Sequence, residues 1–338
     1  MSLYDLRPHA LFILDAEFFP LIYGPEERGE LERLAHFYAP PQTQASIAEN
    51  SALLADAEVI FSGWGAPVMD EHFLNAAPKL RALFYGAGST NHITTDAFWE
   101  RDIVLTSAYA ANARPVAEYA LGAILLSLKN FWPFQAKAKM GLGWGTPARH
   151  LTGGYRSTVA LIGCGMVARR LIELLEPLDI RCIVYDPFLS EAATNELGVE
   201  LCTLDEAFTY GDVVSLHAPD KPETCGMITG DHFLLMKQNA TFINTARGRT
   251  VRGAEMIAAL ERRPDIIAIL DVCDPEEPPA AGSPLFRMKN VILTPHIAGS
   301  VGPECQRLGR YMVDEFHRYL KGEALRWEIT RELAAKVA

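Results

Sequence analysis

A chain of 338 residues is long for a single hydrophobic core, so two domains of ordinary size are expected. Hydrophobic residues at 49% and charged residues at 22% describe a soluble globular protein, and a formal net charge of −11 with no offsetting basic stripe argues against a nucleic-acid partner. The six cysteines (164, 182, 202, 225, 273 and 305) show neither CxxC nor Cys/His metal spacing, so reduced thiols are expected, with no disulfides and no metal site.

The first hundred residues alternate strand-sized apolar runs, at 11–14, 58–61, 82–85 and 103–106, with helical stretches at 26–36 and 70–77. That alternation predicts a parallel sheet covered on both faces. No basic region leads into a long apolar run near the N-terminus, so no export signal is read there. From Pro115 to about Lys137 the sequence is apolar over most of a helical circumference. Such a helix is buried on several sides, against its own sheet and a partner subunit. Its segment 119–128 is too short to cross a bilayer, and Lys129 closes it, so a cytoplasmic protein without a membrane partner is expected. The stretch 141–154, with Trp144 and Pro147 among glycines, reads as an excursion able to clasp a second chain. A second alternating set follows at 159–162, 182–185, 213–216, 241–244, 266–270 and 291–293, the six strands of a doubly wound sheet. The helical segment 302–320 is expected to return to the first domain. The expected division is therefore 1–110 with 300–338 as one discontinuous domain, and 111–299 as the other.

The run 159–162 leads directly into Gly163-Cys164-Gly165-Met166-Val167-Ala168, a dinucleotide-binding fingerprint in its GxGxxA form. Gly163 permits the tight strand-to-helix turn. Gly165 removes a side chain where a pyrophosphate must approach the backbone, and the free N–H groups at the helix start favour that anion. Val167, Leu171, Leu174 and Leu175 mark the helix, and Pro177 follows its end. The next strand delivers Asp186, eighteen residues past Ala168. An acid at this distance accepts hydrogen bonds from the adenosine ribose and repels a 2′-phosphate, and neighbouring Pro187 and Phe188 supply no arginine to hold one. The cofactor is read as NAD rather than NADP.

Three later strands each end in a charged or titratable residue. The run 241–244 ends in Thr245-Ala246-Arg247-Gly248, 266–270 in Asp271-Val272-Cys273-Asp274-Pro275-Glu276, and 291–293 in Thr294-Pro295-His296-Ile297-Ala298-Gly299. The carboxyl edge of an open α/β sheet is where ligands bind. One such residue is as readily a cap or a surface charge; three in the half that carries the cofactor loop point to chemistry.

Taken together these stretches resemble the D-isomer-specific 2-hydroxyacid dehydrogenases, a family that includes phosphoglycerate dehydrogenases, glyoxylate/hydroxypyruvate reductases and D-lactate dehydrogenases. The matching segments are Asn112-Ala113-Arg114-Pro115-Val116-Ala117-Glu118, the Gly163 loop, Leu216-His217-Ala218-Pro219 through Pro222-Glu223-Thr224, Asn244 to Gly248, Asp271-Val272 and Thr294-Pro295-His296. They occur in family order over nearly the whole chain. The resemblance implies a Rossmann NAD-binding domain inserted into a flavodoxin-like substrate domain, and a homodimer formed through the NAD-binding domain. It implies interconversion of a 2-keto acid and a D-2-hydroxy acid by hydride transfer.

By position, Arg247 matches the arginine that grips the substrate carboxylate and carbonyl, its planar fork suiting an α-keto acid. His296 matches the acid/base, and Glu276, 29 residues past Arg247, matches the carboxylate that hydrogen-bonds it. Glu277 and Asp274 stand close enough to compete for that role. A carboxylate beside an imidazole favours the imidazolium, a proton donor for reduction and a base for oxidation once deprotonated. Ala87 and Gly88, in the Gly86-Ala87-Gly88 turn, match the loop whose N–H groups hold the substrate carboxylate. The cofactor set comprises Gly163, Gly165, Met166, Val167, Asp186, His217, Ala218, Pro219, Thr245, Ala246, Asp271, His296 and Gly299. Closure of the two domains over the substrate would use hinges near Ala110 and Ser300.

Departures from the family pattern concern the substrate. Cys273 replaces the aromatic residue common after Asp-Val, and Ser89-Thr90-Asn91-His92 replaces Val-Asp-Asn-Ile. His92 reads as a substrate contact or a surface histidine. Arg249 and Arg252 would suit a phosphorylated substrate if not simply solvated. Two other readings share the architecture. Formate dehydrogenases pair the histidine with glutamine, against which Glu276 argues. Nucleotide-sensing scaffolds of the C-terminal-binding-protein corepressor type are not excluded by Arg247, Glu276 and His296.

Overall fold

The computed structural model describes residues 7–144, 152–275 and 277–335. They fall into two compact units. Unit one is built from the residues up to Asn112 together with those from Ser300 onward, and unit two is Ala113–Gly299.

Unit one holds five strands: β1 (His9–Ile13), β2 (His36–Phe37), β3 (Val59–Ser62), β4 (Ala82–Tyr85) and β5 (Val104–Ser107). All pair in parallel, in the order β2-β1-β3-β4-β5. That is the flavodoxin-like order. Strands β3 and β4 are buried along their whole length, as a sheet covered on both faces requires. One cover is the helix Cys305–Lys321, whose Leu308, Met312, Val313 and Phe316 enter the core. Phe316 sits edge-on to Phe61 and Phe84, with ring centroids 5.0 and 5.3 Å away. The opposite face is filled by Phe73, Leu74 and Phe98 among others.

Unit two holds seven strands: β6 (Thr158–Ile162), β7 (Arg181–Tyr185), β8 (Glu200–Leu201), β9 (Val213–Leu216), β10 (Thr241–Asn244), β11 (Ile267–Leu270) and β12 (Val291–Leu293). Their order, β12-β11-β10-β9-β6-β7-β8, is the Rossmann order with one strand added at the edge. The register is what positions the site. Ile162 pairs with Tyr185 and Leu216, Leu216 with Asn244, Asn244 with Leu270, and Leu270 with Leu293. The next residue of each strand therefore leaves the sheet at the same level: Gly163, Asp186, His217, Thr245, Asp271 and Thr294. Residues scattered over 132 positions become one edge.

The helix Tyr109–Leu128 carries the chain from unit one into unit two and lays Ala117, Ala120, Ile124 and Leu128 on the unit-two sheet. Its small side chains let the backbone approach closely. The expected single helix from Pro115 to Lys137 is in fact two, because Asn130 adopts a left-handed φ of 51° before Phe131–Lys139 begins. Asparagine tolerates that conformation better than most residues. Pro115 lies inside the first helix rather than at its start. The stretch read as helical over 26–36 is helical over Pro25–Leu34, with His36 opening β2 instead. Strands β2 and β8, two residues each, were not expected from the sequence. Of the excursion 141–154, residues 145–151 lie outside the described residues. All six cysteines are free. Among the described residues no helix is long and apolar enough to cross a membrane.

Candidate active site

At the turn after β6, Gly163 has φ 92°, and a Cβ there would stand 2.8 Å from the Ala218 backbone. Only glycine allows the β6 and β9 loops to approach so closely. Asp186 braces the turn, Oδ2 accepting the Cys164 N–H at 2.7 Å and Oδ1 the Phe188 N–H at 2.8 Å. The helix Met166–Leu175 follows with Gly165 as its N-cap, no side-chain capping bond and no acid in its first turn. Its buried face is Ala168, Leu171, Ile172 and Leu175; Val167 packs against the same cluster, and Met166 is exposed at the helix start. After β9, His217 donates its N–H to Ile162 O, and its Nε2 meets Ser215 Oγ at 2.9 Å. Pro219 O accepts the Thr224 hydroxyl, which shapes the loop beyond Ala218.

The tips of β10, β11 and β12 carry the three charged or titratable stretches singled out in the sequence. Asn244, the last residue of β10, shapes the loop bearing Arg247: its Oδ1 accepts the Ala246 N–H and its Nδ2 donates to Arg247 O, both at 3.0 Å. His296 Nδ1 lies 2.7 Å from Glu277 Oε2, and Glu277 Oε1 accepts the Cys273 N–H at 3.1 Å. Glu276 lies outside the described residues. Asp271 is 2% exposed and gives its carboxylate to the loop around His296, accepting from Thr294 Oγ1, Ile297 N–H and Ala298 N–H. These bonds carry the chain on to Gly299. A cavity of about 560 Å³ lies against His296 and Glu277, walled by Cys273, Phe286, Leu293 and Pro295.

In unit one, the Ser107 hydroxyl, with one proton to give, lies between Ala87 O at 2.9 Å and Gly88 O at 2.5 Å. Because a trans peptide points its N–H away from its carbonyl, this turns the Gly88 N–H to the other side of the loop. His92 is exposed, its Nε2 3.4 Å from Tyr85 Oη. Neither arginine that sequence reading set beside Arg247 is a loose cation. Arg249 faces Asp220 at 3.6 Å, and Arg252 bonds Gly226 O and Glu255.

Residues 121–298 match the family model described as "D-isomer specific 2-hydroxyacid dehydrogenase, NAD binding domain". The chain belongs to this dehydrogenase family. Among its curated relatives is the D-3-phosphoglycerate dehydrogenase of Mycobacterium tuberculosis, 29% identical over 279 residues, or 82% of this chain and 51% of that protein. The chain spans about half the length of the curated relatives it matches first. Among solved structures, the apo D-mandelate dehydrogenase of Rhodotorula graminis superposes with a TM-score of 0.79 at 21% identity, over 96% of this chain and 98% of that one. A D-lactate dehydrogenase of Lactobacillus jensenii with NAD+ gives 0.76 at 22% identity, over 96% and 100%. The structural likenesses establish the fold that this family member shares.

Unit two of this dehydrogenase-family chain is thus an NAD-binding domain, and its residues fit the cofactor. The uncapped helix start offers unsatisfied N–H groups to a pyrophosphate. A Cβ at Gly165 would meet nothing within 4 Å, which leaves the approach open. The Thr245 hydroxyl is buried with no hydrogen-bond partner, a costly state that a bound polar ligand relieves.

His217 carries a pH signature. Burial pushes its imidazole down to about 4 from an ordinary 6.5. The folded protein keeps the ring neutral, whereas the unfolded chain takes up a proton below about pH 6.5. Stability resting on the neutral ring is complete above that pH and is lost as pH falls toward 4. His217→Asn should therefore lose about 2 to 3 kcal/mol less than the wild type between pH 7 and pH 4.5. Urea unfolding at the two pH values measures this, and identical losses would refute it.

Proposed function

We propose that this chain interconverts a 2-keto acid and a D-2-hydroxy acid, using the strand tips of unit two as its reactive edge. The observation that carries the reading is the 2.7 Å pair between His296 and Glu277, on the edge that also bears the Gly163 turn. NAD, when bound, supplies or accepts the hydride. His296 gives a proton to the carbonyl oxygen in reduction and takes it back in oxidation. Glu277 holds Nδ1, so that Nε2 is the nitrogen left for the substrate. Arg247 grips the substrate carboxylate with its planar fork.

The test is an NADH assay by absorbance loss with glyoxylate, hydroxypyruvate, 3-phosphohydroxypyruvate, pyruvate, phenylpyruvate and 2-oxoglutarate. Turnover of at least one supports the reading. Tight NADH binding with no turnover of any favours the NAD-sensing scaffold instead. The carboxylate at His296 is decided separately. Glu277→Gln should lower turnover roughly a hundredfold, the scale of a positioned proton transfer, whereas Glu276→Gln should leave it within threefold. The reverse pattern returns the role to Glu276.

Asp186 sets the expected cofactor preference. An acid at this position accepts hydrogen bonds from the adenosine ribose and repels a 2′-phosphate, so NADH should exceed NADPH at least tenfold in kcat/KM. Asp186→Ala should narrow that ratio, and a wild type that prefers NADPH would contradict the assignment.

We also infer a homodimer through unit two. Leu125, Leu126, Phe131, Met140, Leu142 and Trp144 are all exposed large apolar side chains, with Trp144 81% exposed. Sedimentation showing a monomer at micromolar concentration would refute the dimer. The cytoplasm is the compartment that suits six free thiols.

A further inference from the structure

Tyr119 takes no part in the steps above, yet its phenol reaches the loop that bears His296. Tyr119 Oη lies 2.9 Å from Thr294 Oγ1, which lies 2.5 Å from Asp271 Oδ1. Asp271 also accepts the Ile297 N–H on Oδ1 and the Ala298 N–H on Oδ2, both at 2.9 Å. Its backbone carbonyl takes the His296 N–H at 3.0 Å. A single residue thus holds His296 itself and its neighbours on both sides. The hold is needed, because His296 has φ 54°, a left-handed conformation that a side chain disfavours and that persists only when its surroundings dictate it.

The hydrogen bonds have a direction. A threonine hydroxyl carries one proton, and the geometry commits that of Thr294 to the carboxylate of Asp271. The bond between Tyr119 and Thr294 must then be donated by the phenol. Burial raises the phenol above its ordinary value, so it keeps its proton across the range of an assay. The chain runs from Tyr119 to Thr294 to Asp271, each bond polarising the next.

We propose that Tyr119 is a positioning residue for the reaction: its hydroxyl, acting through Thr294 and Asp271, fixes the loop conformation in which the His296 imidazole meets Glu277. This rests on the reading of His296 as the acid/base. The purely structural alternative is that Tyr119 only packs its helix against the sheet, in which case its ring matters and its hydroxyl does not.

Three variants separate these: Tyr119→Phe and Thr294→Val remove a hydroxyl with little change of shape, and Thr294→Ser keeps one. The first readout needs no turnover. In protein labelled with ¹⁵N-histidine, the His296 Nδ1–H resonance, identified by its absence in His296→Asn, should be sharp in the wild type and in Thr294→Ser. It should be broadened by exchange in Tyr119→Phe and Thr294→Val. The second readout is kinetic: those two variants should each lose tenfold or more in kcat with an unchanged KM for NADH, and the double variant no more than either alone. Wild-type kcat and a sharp resonance in Tyr119→Phe overturn the proposal, as do equal losses of kcat and NADH affinity. If the resonance behaves as stated while the wild type reduces no 2-keto acid, the positioning role stands and the reading of the reaction fails.

Discussion

His296→Asn should lower kcat for reduction at least a hundredfold while leaving NADH affinity within threefold of the wild type. The size follows from the proposed role of His296, since a positioned proton donor is typically worth roughly a hundred- to ten-thousand-fold. Asparagine is the informative replacement because position 296 holds a φ of 54°, and asparagine accepts the left-handed region more readily than alanine does. The backbone bonds that fix the loop do not involve the imidazole: His296 N–H goes to Asp271 O, and Ile297 and Ala298 N–H go to the Asp271 carboxylate. The loop should therefore stay in place when the ring is removed, and the loss should reflect chemistry rather than collapse. His296→Ala should fall at least as far in kcat, with an additional small cost in stability from the strained φ. Stopped-flow NADH binding and steady-state turnover on the same preparations separate the two effects. A kcat within threefold of the wild type in His296→Asn would remove His296 from the reaction.

What sequence could and could not say about this site has a physical explanation. The Gly163 turn and Asp186 were legible because an apolar strand, a glycine and an amphipathic helix leave a local pattern. The same holds for the tips of β10, β11 and β12, where an apolar run is followed within three residues by a charged or titratable one. Parallel pairing was legible too, since each long strand is separated from the next by helical sequence. The strands His36–Phe37 and Glu200–Leu201 were not, because two residues cannot display alternation and exist only by pairing with β1 and β7. The sequence from Asp274 to Pro279 is proline-rich, so no periodicity tells which of its carboxylates turns toward His296. The resemblance carried that role to Glu276; among the described residues the acid in contact is Glu277. Helical periodicity across Lys129 hid the break at Asn130, where one left-handed residue outweighs the apolar pattern around it. The bond between Tyr119 and Thr294 joins residues 175 apart, and nothing local in either stretch announces it.

Gly248→Ala should cost turnover about a hundredfold although it removes no reacting group. A Cβ on residue 248 would stand 2.0 Å from Cys273 O and 2.1 Å from the Cys273 carbonyl carbon, well inside van der Waals contact with backbone that no rotamer change can relieve. The loop leaving β11 must move by an ångström or more, or the turn after Arg247 must. Either movement reaches the His296–Glu277 pair. Cys273 N–H holds Glu277 Oε1, and Glu277 Oε2 holds His296 Nδ1, so a shift at Cys273 is passed to the imidazole through two hydrogen bonds. On the other side, Arg247 is the residue directly before the glycine, and its carbonyl is pinned by Asn244 and Thr250. A displacement of about 1 Å in such a constellation is worth roughly a hundredfold in rate. Overpacking of this kind also costs about 1–3 kcal/mol of stability, which a thermal melt will register. Gly253→Ala is the matched control, since its Cβ would meet Asp274 O at an ordinary 3.4 Å and alanine suits the first turn of the helix Gly253–Arg262. It should keep turnover within threefold. Equal activity and equal melting temperature in Gly248→Ala and Gly253→Ala would mean that the β10 and β11 loops yield freely, and that their close approach does not align the groups at this edge.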